Sequence, residues 1–199
     1  MVAEVSEGVE VAVKRFTVVD YHRMGKAGVF RRGERVELLD GEIIEMNPVG
    51  RPHATTVNRL NRLFARLFGD RVLLSIQNPV VLDTYAEPQP DVVLLRPRED
   101  DYLHAAPTGA DTYLVVEVAD STVTYDTTRK ARAYARTGVS LFWVVVVGRG
   151  AEDRVIVFAD PVNGEYQSQR EAHRGDVLTI PGLDDAPVAV GDFSLAVSG

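Results

Sequence analysis

Pro90-Asp91-Val92-Val93-Leu94-Leu95 and Tyr113-Leu114-Val115-Val116-Glu117-Val118, with the segment behind them that carries Asp126 and Lys130, decide how this chain is read. Both apolar runs have the β-branched composition of buried strands. Each carries a carboxylate. A buried carboxylate is costly unless it is paired, protonated or bound to a metal. Two acids on neighbouring strand ends, with a lysine arriving from the next helix, make a compact site. Such a site could hold a divalent cation and polarise a phosphodiester.

Pro90 fixes the local backbone and donates no ladder hydrogen bond, which places Asp91 at a strand start. Glu117 lies inside Leu-Val-Val-Glu-Val, where an acid is unusual without a partner. Mg²⁺ takes oxygen ligands, commonly one or two carboxylates with water and substrate phosphate. Asp91 and Glu117 supply that chemistry, and the Val118 carbonyl is a candidate third ligand. Lys130 follows Asp126 at helical i,i+4 spacing. Taken alone, the two read as an exposed ion pair worth a few tenths of a kcal/mol, roughly. Their position directly after the strand of Glu117 makes Lys130 a candidate to bind the attacked phosphate or orient a water.

Outward from this stretch, the spacing predicts a mixed α/β protein. Ser121 or Thr122 caps a helix over Val123 to Arg136, and Gly138 ends it. Leu141 to Val147 is a strand covered on both faces, so a parallel strand–helix–strand crossover is expected here. Upstream, Asp40-Gly41 joins two apolar runs as a hairpin. Thr17 caps a short helix from Val18 to Met24. Pro52 and His53 open a helix that stops at Gly69. Its apolar stripe is Val57, Leu60, Phe64 and Leu67. Arg59, Arg62 and Arg66 fall on another side and read as a solvated face before they read as a phosphate contact. Strands are expected at Val72 to Ile76 and Val80 to Leu82. A hairpin over Arg154 to Gln169 turns through Asp160 to Gly164, and short strands lie at Val177 to Ile180 and Val188 to Val190. The chain reads as one domain over residues 1–199, with 1–15 a tail or an edge strand.

Composition removes several classes of function. The 199 residues contain no cysteine, so thiolate metal sites, disulfides and cysteine nucleophiles are excluded. Leu141 to Val147 is the longest apolar run and is too short to span a bilayer. The acidic start lacks a basic region followed by an apolar stretch, so a cytoplasmic location is expected. A net charge of -7 argues against a protein that coats nucleic acid by charge alone. It is compatible with a carboxylate metal site, whose cation offsets the local charge.

Three groups of residues, in this order and spacing, carry a family likeness. They are Val36-Glu37-Leu38-Leu39-Asp40-Gly41-Glu42-Ile43 with His53 opening the next helix; Glu87-Pro88-Gln89-Pro90-Asp91; and Val115-Val116-Glu117-Val118 with Asp120-Ser121-Thr122, Tyr125-Asp126, Lys130, Tyr134 and Gly138. Over roughly Phe16 to Gly164, and weakly to Phe193, the chain resembles the Uma family of restriction-endonuclease-like proteins. The resemblance implies the PD-(D/E)XK nuclease fold, a mixed central β-sheet flanked by helices, here with additional β-hairpins. It implies a Mg²⁺ or Mn²⁺ site on Asp91 and Glu117, with His53 and Glu42 carried over as positions near it. Ala119 stands where the general pattern has its lysine, and Lys130 on the following helix is the displaced equivalent. A metal-dependent endonuclease acting on DNA is therefore expected. A nuclease fold kept as a binding or assembly module, and a metal-dependent phosphoesterase on another substrate, are the alternatives. A homodimer is expected for cutting both strands of a duplex, with Leu141 to Val147 and the later hairpin as its interface.

Overall fold

A computed structural model describes residues 12–147 and 153–195. The tail or edge strand expected over 1–15 falls mainly on 1–11, outside the described residues. Helix α1 (Val18–Lys26) begins at a capping box: the Asp20 amide donates to the Thr17 hydroxyl and the Thr17 amide donates to the Asp20 carboxylate. Strands β1 (Val36–Leu39) and β2 (Glu42–Glu45) form a separate hairpin. Its two-residue turn holds Asp40 at φ 52° and Gly41 at φ 73°, the left-handed pair that a tight hairpin needs. Helix α2 (Arg51–Phe68) carries Pro52 in its first turn and stops at Gly69.

The main sheet has six strands in the order β3-β4-β5-β6-β7-β8. These are β3 (Leu73–Ile76), β4 (Val92–Leu95), β5 (Thr112–Ala119), β6 (Leu141–Val146), β7 (Arg154–Val162) and β8 (Glu165–His173). Only β5 and β6 pair in parallel. They are joined by α3 (Val123–Tyr125), a π-helical turn (Asp126–Lys130) and α4 (Ala131–Arg136), as the crossover reading requires. Strands β9 (Val177–Leu178) and β10 (Val188–Ala189) form a third small sheet.

Period-two alternation divides the sheet's side chains between two cores. Leu114, Val116, Val118, Trp143 and Val145 pack with α2 residues Val57, Leu60 and Phe64. Val115, Ala119, Phe142, Val144 and Val146 pack with Tyr134 of α4. Leu141–Val146 is buried along its whole length between β5 and β7, so it cannot supply the expected dimer interface.

Two local expectations fail for identifiable reasons. Val80 to Leu82 is not a strand. The amides of Val80, Val81 and Leu82 donate to Pro88, Pro107 and Ala86, which are loop carbonyls rather than one ladder. The later hairpin turns through Asn163 and Gly164 alone, at φ 52° and 83°, and both strands run longer than expected. Pro161 remains in β7 because β6 begins only opposite Ala159, so no strand on that side needs its missing N–H. Among the described residues no helix is long and apolar enough to cross a membrane.

The β1–β2 hairpin depends on glycine at its turn. A Cβ on Gly41 would lie 2.7 Å from Arg15 Cβ as well as sitting at positive φ. We expect Gly41→Ala to lower stability by about 1–3 kcal/mol. A urea midpoint equal to wild type would show that the turn relaxes freely.

Candidate active site

The register of the sheet puts the two predicted acids together. Val92 pairs with Val116, and one further antiparallel step places Asp91 opposite Glu117. Both belong to the face of Val93 and Val115, toward α4. Opposed residues of an antiparallel pair bring their Cβ atoms to roughly 5 Å, where like charges are destabilising. Each carboxylate therefore has its own partners. Asp91 Oδ2 accepts the Val118 amide at 2.8 Å and lies 2.9 Å from His53 Nε2, while Oδ1 accepts from Gln77 Nε2 at 3.0 Å. Burial pushes the Asp91 carboxyl up, but the hydrogen bond and charge of His53, with the Val118 and Gln77 donors, hold it below the ordinary range.

Glu117 is in a different position. Its Oε1 accepts from Lys130 Nζ at 2.9 Å and from the Tyr134 hydroxyl at 2.7 Å. Burial pushes this carboxyl well above the ordinary range, against the pull of Lys130. Lys130 is 3% exposed, and its charge is held on by Glu117 and Glu37 despite burial. Sequence spacing paired Lys130 with Asp126. The structure instead gives the Asp126 carboxylate to the Thr122 hydroxyl at 2.6 Å. The reason is the π turn at Asp126–Lys130, which widens the helix and buries both side chains on the inner side.

One residue at the centre of this cluster escaped the sequence reading. Glu37 on β1 is 1% exposed, and its Oε2 lies 3.1 Å from Lys130 Nζ. Val36-Glu37-Leu38-Leu39 gave only the weak signal of an acid within an apolar strand, the same signal that singled out Glu117. Glu42, in contrast, stands outside the cluster. It is half-exposed and pairs with Arg15 at 2.7 Å and Arg129 at 2.9 Å. Arg59 donates to the Ser194 carbonyl, while Arg62 and Arg66 lie on the exposed side of α2.

These groups open onto a cleft of about 240 Å³. Asp91, Glu117, Val118, Asp126 and Lys130 line it, with Glu37 and His53. Among the described residues no three His, Asp or Glu side chains form a ready metal cage. The donor set fits Mg²⁺ in the other way that ion is commonly held, by two carboxylates completed by water and substrate oxygens. Glu117 Oε2 accepts no hydrogen bond from the described residues, and it is not among the solvent-sealed unpartnered atoms. It is thus the carboxylate oxygen available to a ligand.

A mixed sheet flanked by helices, with an acid–acid–lysine cluster at one end of its central strands, defines a restriction-endonuclease-like fold. The chain belongs to the Uma2 family, whose description is "Putative restriction endonuclease" and whose sequence model matches residues 18–191. It is also similar in fold to a solved protein described as "a putative nuclease belonging to DUF820", from Anabaena variabilis ATCC 29413. The TM-score is 0.70 at 12% identity, over 89% of this chain and 97% of that one. No curated protein matches the chain.

Lys130 alone faces Glu117, Glu37 and Asp126, so the cluster carries excess negative charge or holds a proton. Burial raises Asp126 from 3.8 to about 6. The folded state then binds this proton more tightly than the unfolded chain, so its contribution to stability falls as pH rises from about 4 to about 6. We expect Asp126→Asn, in EDTA, to be more stable than wild type at pH 7.5 by about 1–3 kcal/mol, with the difference vanishing toward pH 4. Urea melts at both pH values check this. A variant less stable than wild type at pH 7.5 would show that Lys130 stabilises the Asp126 charge outright.

Proposed function

We propose that the chain is a divalent-metal-dependent endonuclease that hydrolyses phosphodiester bonds, with DNA as its substrate. The observation that carries this reading is the opposition of Asp91 and Glu117 across β4 and β5, with Lys130 Nζ 2.9 Å from Glu117. Asp91 and Glu117, with the Val118 carbonyl, would hold Mg²⁺ or Mn²⁺. Such a cation, when bound, lowers the pKa of water and offsets charge on the attacked phosphate.

The chain's own residues do the remaining work. The Val118 amide, Gln77 and His53 fix the orientation of the Asp91 carboxylate before any ligand arrives. His53 is thereby a positioning residue. Lys130 presents a fixed positive charge where negative charge grows on the phosphate. Tyr134 keeps the Glu117 carboxylate in one rotamer. Glu42, tied to Arg15 and Arg129, takes no part. A homodimer remains part of the proposal, since cutting both strands of a duplex needs two such sites.

One observation favours the reading of a non-catalytic binding module. No cluster of three acids or histidines is assembled for a metal among the described residues. The two readings separate on Mg²⁺ titration by calorimetry with plasmid cleavage alongside. Wild type is expected to bind Mg²⁺, and Asp91→Ala and Glu117→Ala to lose at least about a hundredfold in affinity or activity. Lys130→Met should keep metal binding and lose about 10²–10³ in cleavage rate. Wild type that takes up no Mg²⁺ at millimolar concentration, even with DNA present, would sink the nuclease reading in favour of the module.

A further inference from the structure

Glu37 has no assigned role, yet it is the most buried member of the cluster. It comes from the β1–β2 hairpin, not from the main sheet. Every residue of β1 is buried, and Leu38 exchanges backbone hydrogen bonds with Glu87 at 2.8 and 3.4 Å. At the turn, Asp40 accepts from Arg136 at 2.9 Å, and the Asp40 carbonyl accepts from Arg15 at 2.7 Å. The hairpin is thus held at both ends, and Glu37 is presented from a fixed base. Its Oε2 accepts the Gln89 amide at 3.2 Å and lies 3.1 Å from Lys130 Nζ, while its Oε1 accepts the Tyr125 hydroxyl at 3.3 Å.

Lys130 therefore has two anionic partners on separate elements, Glu37 on β1 and Glu117 on β5. An ammonium has three donors, so both contacts can be held at once. If Glu117 were its sole partner, any ligand that drew Glu117 away would leave a buried, uncompensated cation, which is strongly unfavourable. The side chain would then compete for Glu117 or leave the cleft.

We infer that Glu37 is a positioning residue that keeps Lys130 in the cleft and lets it release Glu117 to a divalent cation. The inference rests on the nuclease reading and deepens it. Glu37 acts on the site through Lys130 and does not itself touch the cation.

The test is a double-substitution cycle on the full chain: wild type, Glu37→Gln, Lys130→Met and both together. Glutamine has the shape of glutamate and keeps one oxygen for the Gln89 amide, while its NH2 can donate to the Tyr125 hydroxyl oxygen in place of the bond that Oε1 accepts. Mg²⁺ affinity is read by calorimetry, and plasmid cleavage is split into kcat and KM. Glu37→Gln should weaken Mg²⁺ binding about tenfold and lower kcat by up to about a hundredfold, with KM within about threefold of wild type. In the Lys130→Met background the same substitution should change Mg²⁺ affinity by less than about twofold. Glu37→Asp, which keeps the charge on a shorter arm, should recover part of the loss and serves if the glutamine variant does not fold. Equal loss of affinity in both backgrounds would make Glu37 a direct ligand and overturn the inference. So would unchanged affinity and kcat in Glu37→Gln while wild type binds and cleaves. A wild type that binds no Mg²⁺ overturns the nuclease reading, and this inference with it.

Discussion

Two carboxylates face each other across adjacent buried strands, and the rest of the molecule is arranged to make that tolerable. Asp91 and Glu117 are opposed by register, on a face that packs against α4. Water would screen such a pair, but both residues are buried. The protein solves the problem differently on each side. Asp91 receives three donors and stays ionised. Glu117 receives one cation and one hydroxyl and is left strongly proton-loving. The pair is thus asymmetric before any ligand binds, with one fixed anion and one carboxylate whose charge must be supplied with a counter-charge.

Three separate elements converge on the strand ends to meet that demand. Helix α2 brings His53 at its first turn, which reaches Asp91 from the opposite layer because Asp91 stands at the end of β4, where the sheet no longer separates the two layers. The hairpin brings Glu37. The crossover helix brings Lys130, and does so only by opening into a π turn. In a regular helix, residues four apart drift around the axis by about 40°. Asp126, Lys130 and Tyr134 would then spread toward the helix flank. Widening the helix at Asp126–Lys130 keeps all three buried on the side of the sheet. A π turn is a costly local geometry, and its presence at the one lysine of the cluster is consistent with a functional constraint.

The sequence shows this arrangement unevenly, and the physical reasons are clear. Glu117 was legible because a carboxylate inside Leu-Val-Val-Glu-Val contradicts its surroundings. Asp91 was legible because Pro90 marks a strand start. The Asp40-Gly41 turn is local chemistry and needs no tertiary information, whereas the second turn, expected over Asp160 to Gly164, tightens to Asn163-Gly164 because the two strands pair as far as Val162 and Glu165. Lys130 does lie beside Glu117, but its partner is not the one that spacing named. Helical spacing pointed to Asp126, whereas the contact is made with Glu117 and Glu37 across tertiary space. Glu37 was passed over because a four-residue strand beside a turn usually has one wet face, and nothing local shows that loops cover β1 from outside. Val80 to Leu82 misled for the opposite reason: its composition is that of a strand, but the neighbouring carbonyls belong to loops.

Charge makes the order of events at such a cleft a matter of electrostatics. Six carboxylates line it, those of Glu37, Glu45, Asp91, Glu117, Asp120 and Asp126, against the cationic side chains of Arg35 and Lys130. The whole chain carries -7. A phosphate approaching this surface meets repulsion at long range and excess negative charge at short range. Lys130 cannot reverse the sign, because its charge is already committed to Glu37 and Glu117 at 3.1 and 2.9 Å. Under the proposed reading, Glu117 and Asp91 must therefore take up a divalent cation before or together with the phosphate. The lysine, freed from Glu117 but still held by Glu37, then becomes available to the phosphate. Under that same reading, the order in which ligands enter follows from where the carboxylates stand.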